Sequence, residues 1–560
     1  MAELARDGFS PGVMSAGLGT VPPGQTYLDI GQGNRVFDSL YDSELPPGGA
    51  SRPGGWRAVT ERAESAPADI VPGLLAASLT DAQAEAFEVR GATLTQLPSL
   101  ARGLRGDDLV IVIARPTGRS DDPLPIGIAG RGYDGNLTSG STRLDGYVLS
   151  TDIAPTILER FGADVPAEMS GQPIRSEGSV DPATVESLAD RMTVISSRRG
   201  PVIGLSLLLW LVVLVGAIAA ISGRAARVGI RIAGLAVIYM PLVLLGAAAI
   251  EPGEATEALM VMLGAPLLGA CTLALSSGYR APAIASALTV LAYGVDVIAG
   301  SPLTSLSLLG PNPGLGVRFY GIGNELEALL GVLVVAGTGA ALAGFAPQLS
   351  RQRCAAGFLA VGLLCAFVFA AGRFGADVGA AIVLPVGAAV AAVLVAGRGS
   401  RSVLLLVVAA PFAVLALLAL VDLVSGANAH LTRSVLDAGG LGDLADVAQR
   451  RLQLSARSFG RPILLAFLPV VAILGALAVV YRDRLAAWLH GHPTVRAGLW
   501  GALVATAVGT LANDSGALML EIGTAYLLVF VGFAWAGNAE KDFPTTKSYN
   551  LTRHTSEISP

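Results

Sequence analysis

Pro201-Val-Ile-Gly-Leu-Ser-Leu-Leu-Leu-Trp210-Leu-Val-Val-Leu-Val-Gly-Ala-Ile-Ala-Ala220 contains no charged residue. As a helix it would be about 30 Å long, the thickness of a bilayer's hydrocarbon core. Further apolar runs of similar length begin near Val228, Ala255, Ala281, Leu326, Cys354, Val378, Val403, Ile463, Ala497 and Ala517, separated by short polar links. The pattern predicts an all-α polytopic bundle of about 11 transmembrane helices over 198–537. Glycine and alanine are frequent inside the runs, which suits helices that approach one another closely. Upstream, residues 1–197 are mixed and turn-rich, as expected of a folded soluble domain, and 538–560 form a polar tail.

The whole-chain figures agree with this division. Of the 560 residues 52% are hydrophobic and 14% charged, too little charge for an ordinary soluble protein. The net charge is -5 and no basic face or arm stands out, so nucleic acid is not expected as a partner. The three cysteines, Cys271, Cys354 and Cys365, lie in or beside apolar runs, which excludes a disulfide framework in the soluble domain.

Charge in the links sets the expected orientation. One alternate set carries Arg224, Arg227 and Arg231, then Arg280, Arg351 and Arg353, Arg398 and Arg401, Arg482, Arg484 and Arg496, and Lys541, Lys547 and Arg553 in the tail. The other set is acidic or nearly uncharged, as in Glu251-Pro-Gly-Glu254. Arginine and lysine concentrate on the cytoplasmic side, so the tail is expected inside and the N-terminal domain outside. The long link from Ser425 to Pro462 conflicts, with Arg433, Arg450, Arg451, Arg457 and Arg461, but long links carry less weight. Residues 1–30 lack the basic start and apolar core of an export signal, so a signal or anchor segment is expected upstream of this sequence.

Within the soluble part, Asp108-Leu-Val-Ile-Val-Ile-Ala114 and Pro125-Ile-Gly-Ile-Ala129 read as strands. Thr151-Asp-Ile-Ala-Pro-Thr-Ile-Leu-Glu-Arg-Phe-Gly162 reads as a helix with Asp152 near its start and Gly162 closing it. Strands alternating with helices give an α/β domain. These segments, with Met169-Ser-Gly-Gln-Pro-Ile174, resemble the C-terminal half of the alkaline phosphatase-like superfamily, which includes sulfatases and phosphoethanolamine transferases. Thr26-Tyr-Leu-Asp-Ile-Gly-Gln-Gly-Asn-Arg35 stands where that family has its nucleophile turn, while the family's opening strand, with its metal-binding Asp, is expected to be missing.

The resemblance implies a two-metal hydrolase site, but the family's ligand positions hold Ala114-Arg115-Pro116 and Ser141-Thr142-Arg143. The only histidines are His430, His490, His492 and His554, all far downstream. With neither imidazole nor thiolate at those positions an intact two-metal site of the family's type is not expected, so no metal or cofactor is expected and the domain is read as a degenerate, non-catalytic relative. Thr20 or Thr26 as a surviving nucleophile is the alternative.

Four polar clusters interrupt the apolar region on the expected outer side. They are Gly316-Val-Arg318-Phe-Tyr320-Gly-Ile-Gly-Asn324-Glu325-Leu-Glu327; Gly372-Arg373-Phe-Gly-Ala-Asp377; the link with His430, Arg433, Arg450 and Arg451; and Asn513-Asp514-Ser515-Gly516 with Glu521 beyond. Glycine and asparagine in loops often only make turns, and an arginine pair on a helix is often a solvated face. Taken together, however, charge at membrane depth is costly and faces a cavity or a partner. The expected arrangement is one outer-leaflet site in which Glu325, Asp377, Asp514 and Glu521 oppose Arg318, Arg373 and Arg433. Candidate catalytic groups are Glu325, Asp377, His430 and Asp514. Candidate substrate-binding groups are Arg318, Tyr320, Asn324, Arg373, Arg433, Asn513 and Glu521.

Arginines there would grip phosphate in bidentate fashion, so the expected partners are membrane lipids and an anionic lipid-linked envelope substrate, or another envelope protein. The layout is similar in architecture to the ethanolamine-phosphate transferases of glycolipid anchors. A transporter or lipid translocase with broken helices and a structural scaffold are the alternatives.

Overall fold

The computed structural model describes residues 1–46, 54–66, 68–117, 122–220, 223–397, 455–460 and 462–542, with isolated positions between 401 and 453. The soluble part is an α/β unit. Strand β1 (Ser10–Ser15) is buried along its whole length, followed by helices α1 (Pro23–Gln32) and α2 (Gly55–Glu64). Strands β2 (Leu109–Ile113) and β3 (Leu124–Gly130) form the expected pair. Then come β4 (Asn136–Ser139), β5 (Tyr147–Leu149), α3 (Ile153–Arg160) and β6 (Ile174–Glu177). The main sheet runs β2-β3-β1-β5, with β1 antiparallel to β3 and parallel to β5, while β4 and β6 pair separately.

A strand that the sequence did not disclose, β1, lies in the middle of the sheet. Ser-Pro-Gly-Val-Met-Ser has little β-propensity of its own. Its burial against Ile126, Ile128, Leu137 and Val148 holds it in place. A side chain at Gly12 would collide with Leu137, so only glycine fits that crossing.

Helix α4 (Pro182–Arg199) joins the soluble unit to the bundle. Asp181 caps it, accepting from the amides of Ala183 and Thr184 at 3.1 and 3.2 Å. The helix passes through a wide-turned stretch at Gly200–Gly204, where Pro201 supplies no amide hydrogen, and continues as α5 (Leu205–Ala220). Val185, Leu188 and Met192 of α4 pack with Val13, Leu144, Tyr147 and Leu149 of the soluble unit and with Phe319 of a bundle loop.

The remaining long helices are α6 (Arg224–Ile250), α7 (Glu254–Leu275), α8 (Arg280–Ile298), α9 (Asn324–Phe345), α10 (Arg351–Ala370), α11 (Val378–Ala396), α12 (Pro462–Val480), α13 (Pro493–Ala512) and α14 (Gly516–Asp542). Among the described residues, nine helices are long and apolar enough to cross a membrane, and they coincide with expected spans. The chain is a multi-pass membrane-spanning protein. The expected run from Val403 lies outside the described residues, and that from Ile463 corresponds to α12, whose apolar core Leu468–Val480 is shorter.

Helices α9 and α11 occupy the centre of the bundle. Gly387 of α11 and Gly501 of α13 lie face to face, too close for a side chain at either. The kink residue Pro241 in α6 leaves the Val237 carbonyl without its helical donor, and the Tyr526 hydroxyl donates to it at 3.1 Å. The links beside Tyr279, Gly344 and His492 meet at one end, with the rings of Tyr279 and His492 4.6 Å apart and Arg280 donating to the Gly344 carbonyl at 2.8 Å. The soluble unit sits at the other end.

Candidate functional site

The polar site forms where three loops meet beneath the soluble unit. The segment between α8 and α9 is folded back by Asp296, which accepts from the amides of Leu303 and Thr304 at 3.1 and 2.7 Å. It is joined to the α10–α11 link, with the Ile322 amide donating to the Gly375 carbonyl at 3.0 Å. Gly321 has φ +76° and its α-carbon faces that same carbonyl, so the contact admits no side chain.

These loops set Arg318 against Asp377 at 3.1 Å. The guanidinium also donates to the carbonyls of Ile322 and Ala376. The other Asp377 oxygen caps α11, accepting from the Ala380 amide at 2.8 Å. From the α13–α14 link, Asn513 donates to Glu327 Oε2 at 2.6 Å and to Asn324 Oδ1 at 3.2 Å. Asn324 in turn donates to Asp514 at 3.1 Å and to the Ser515 hydroxyl at 2.9 Å. Three of the four sequence clusters thus share one network at one rim. The fourth, with His430, Arg433, Arg450 and Arg451, lies outside the described residues.

The partners differ from the expected ones. Glu325 pairs with Arg199 of α4 at 3.0 Å. Arg318 is turned inward, bound by one carboxylate and two carbonyls, which leaves little of its fork for a phosphate. Arg373 is exposed over the Phe374 ring, and Glu521 is half-buried on α14. Glu327, quoted in the sequence motif but given no role there, proves to be the most buried carboxyl of the network at 2% exposure. Its spacing of three residues from Asn324, one helical turn, was the available signal.

A seam between the soluble unit and this rim is built from Arg143, Tyr320 and the 372–373 backbone. The Arg143 guanidinium lies 4.1 Å from the centre of the Tyr320 ring and donates to the carbonyls of Gly372 and Arg373 at 3.3 and 3.4 Å. Arg35 completes the seam further in, donating to the Gly316 carbonyl at 2.6 Å, and the Tyr147 hydroxyl reaches the Pro313 carbonyl at 2.9 Å.

Inside the soluble unit, Asp152 accepts from Ser139 and Ser141 at 2.6 Å each and from the amides of Leu149 and Gln172 at 2.9 Å each. Both its oxygens are saturated, so it braces the turn into α3. Thr20 is exposed and Thr26 is buried within α1, so the two are not presented together. Among the described residues, no group of three or more His, Cys, Asp or Glu side chains gathers as metal ligands.

Asp29 is the unusual acid of this unit. It accepts from Gln25 and Gln32 at 2.7 and 3.1 Å, yet burial pushes its carboxyl up to about 7, against the opposing Gln25 hydrogen bond and the Arg35 and Arg62 charges. The folded state therefore holds a proton that the unfolded chain releases near pH 4. Stability is full below pH 4 on this account and falls as pH rises to about 7, by on the order of a few kcal/mol. The unfolding midpoint of Asp29→Asn, measured from pH 4 to 8, is expected to lack this component of the wild-type slope. An identical slope in both proteins excludes Asp29 as its source.

No known protein family, curated protein or solved structure matches the chain.

Proposed function

We propose that this is a cell-envelope membrane protein that receives the phosphate head of an anionic, lipid-linked substrate at the seam between its soluble unit and its bundle. One observation carries this: Arg143, held by the Tyr320 ring, binds the backbone of Gly372 and Arg373, so two exposed arginines from different parts of the fold stand together at the rim. Guanidinium groups bind phosphate oxygens through charge-assisted, bidentate hydrogen bonds. A headgroup at the membrane surface would meet this pair first.

In this reading the soluble unit lies on the outer side. The arginine-bearing links around Arg280, Arg351 and Arg482 lie at the end of the bundle away from it, which supports that orientation. The soluble unit is read as a degenerate alkaline phosphatase-like domain that contributes a clamp and no chemistry. Its saturated Asp152 and the Ser15-Ala16-Gly17 end of β1, without a carboxylate, support the loss of a catalytic site. A transporter or lipid translocase is the second reading, favoured by the buried carboxyls Glu327 and Asp377 among helix ends.

The test compares binding of a long-chain polyprenyl phosphate and of the uncharged polyprenol to the purified full chain. Arg143→Glu with Arg373→Glu is expected to weaken phosphate binding at least tenfold, the loss of one or two charge-assisted contacts, and to leave the alcohol unchanged. Equal binding of the phosphate by wild type and variant sinks the proposal.

A further inference from the structure

We infer that Glu327 is a proton-binding site, held as the neutral acid and donating from Oε1 to the Asp377 carboxylate, so that one proton ties α9 to α11. The inventory of hydrogen bonds places that proton. Glu327 is 2% exposed, in the first turn of α9. Its Oε2 accepts from the Asn513 side chain at 2.6 Å. That amide cannot be turned round, because its Oδ1 accepts from the Ser515 backbone amide at 2.8 Å and its nitrogen also donates to Asn324 Oδ1 at 3.2 Å. Oε2 is therefore the carbonyl side of the carboxyl. Oε1 is buried too, and no N–H among the described residues donates to it. The Glu327 carboxyl is instead hydrogen-bonded to that of Asp377, and two carboxyls share such a bond only through a proton. The two Asp377 oxygens already accept from the Ala380 amide and from Arg318, so the proton lies on Glu327 Oε1.

Charge leads to the same assignment. Among the described residues, the charged groups facing Glu327 are Asp377, from the α10–α11 link, and Arg318, from the segment before α9. The other charged groups of the neighbourhood are engaged elsewhere or stand apart. Glu325 of α9 pairs with Arg199 of α4, Asp514 of the α13–α14 link is exposed and held by Asn324, and Asp296 near the end of α8 accepts from two loop amides. Glu521 is half-buried on α14. With Glu327 neutral, Arg318 and Asp377 cancel. An ionised Glu327 would set two carboxylates against one guanidinium where water is largely excluded, a costly arrangement. The carboxyl rests directly on Gly379 in the first turn of α11, where a methyl group would overlap both its oxygens. Loss of the proton would therefore put like charges across the α9–α11 contact. Ionisable groups at membrane depth mark proton relays as well as substrate paths, and this one has a proton to give. Neither Arg143 nor Arg373 takes part, so the site is independent of headgroup binding at the seam.

The experiment uses the purified full chain in detergent at neutral pH, with the proton itself as the probe. A protonated carboxyl has an infrared carbonyl stretch that stands apart from the carboxylate and amide bands and shifts in D2O. The spectrum of wild type minus that of Glu327→Gln is expected to show such a band, equivalent to one carboxyl per chain. Asp29 contributes equally to both proteins and cancels in the difference. Glutamine keeps one donor and one acceptor at this position, so the variant is expected to fold. Asp377→Asn decides the matter where Glu327→Gln fails to fold. With its neighbour uncharged, Glu327 is left to balance Arg318 and ionises, so the same band is expected to be lost. Identical spectra of wild type and Glu327→Gln overturn the inference, because Glu327 is then ionised in the wild-type protein. A band of full size in Asp377→Asn also overturns it, because the proton is then held without Asp377.

Discussion

Replacing Glu257 with alanine is expected to destabilise the protein by about 3–5 kcal/mol, the usual result of stripping one partner from a buried ion pair. Glu257 lies in the first turn of α7 with no exposed surface, and Arg191 of α4 grips it through two bonds of 2.7 and 3.0 Å. Arg198 reaches the same carboxylate at 3.3 Å, and Arg191 gives its remaining contact to the Leu306 carbonyl at 2.9 Å. Without Glu257, Arg191 stays 98% enclosed with no opposing charge, since its side chain is only 2% exposed. Arg191→Met combined with Glu257→Met is expected to recover most of the loss, because apolar groups of similar volume replace such pairs at little cost. Denaturant or thermal unfolding of the two variants checks this. Equal destabilisation of the single and double variants would show that Glu257 acts through packing and not through charge. The pair also fastens the connecting helix to α7, so the single variant is expected to become more sensitive to protease near Arg199.

That clamp illustrates what a sequence discloses and what it hides. The spans were legible because bilayer thickness imposes a length that few other constraints impose, and each described span begins near its expected residue. The rim was legible because Arg318, Asn324, Asp377 and Asn513 stand out against apolar neighbours. Their partners were not. Arg199 and Glu325 are 126 residues apart and Asn513 and Glu327 are 186 apart, and no local periodicity couples such positions. Arg199 gave no local sign of its partner, which it meets beside the bundle because α4 continues into α5. Strand β1 was hidden for a related reason. Its extended shape comes from neighbours on both sides of the sheet, while Pro11 and Gly12 carry the local signature of a turn. The helix at Ile153–Arg160 was clear by contrast, since its buried face and closing glycine are both local.

Asp377→Ala is expected to cost about 2–3 kcal/mol, with Asp377→Asn recovering roughly the first 1 kcal/mol of it, because Asp377 does two separable jobs. One is to cap α11 through the Ala380 amide, which asparagine does as well as aspartate. The other is to oppose Arg318, whose side chain is 34% exposed, so solvent screens part of that attraction and the charge contributes less than in the Glu257 clamp. Unfolding midpoints of wild type, Asp377→Asn and Asp377→Ala separate the two jobs, and coincidence of the two variants removes the cap from the account.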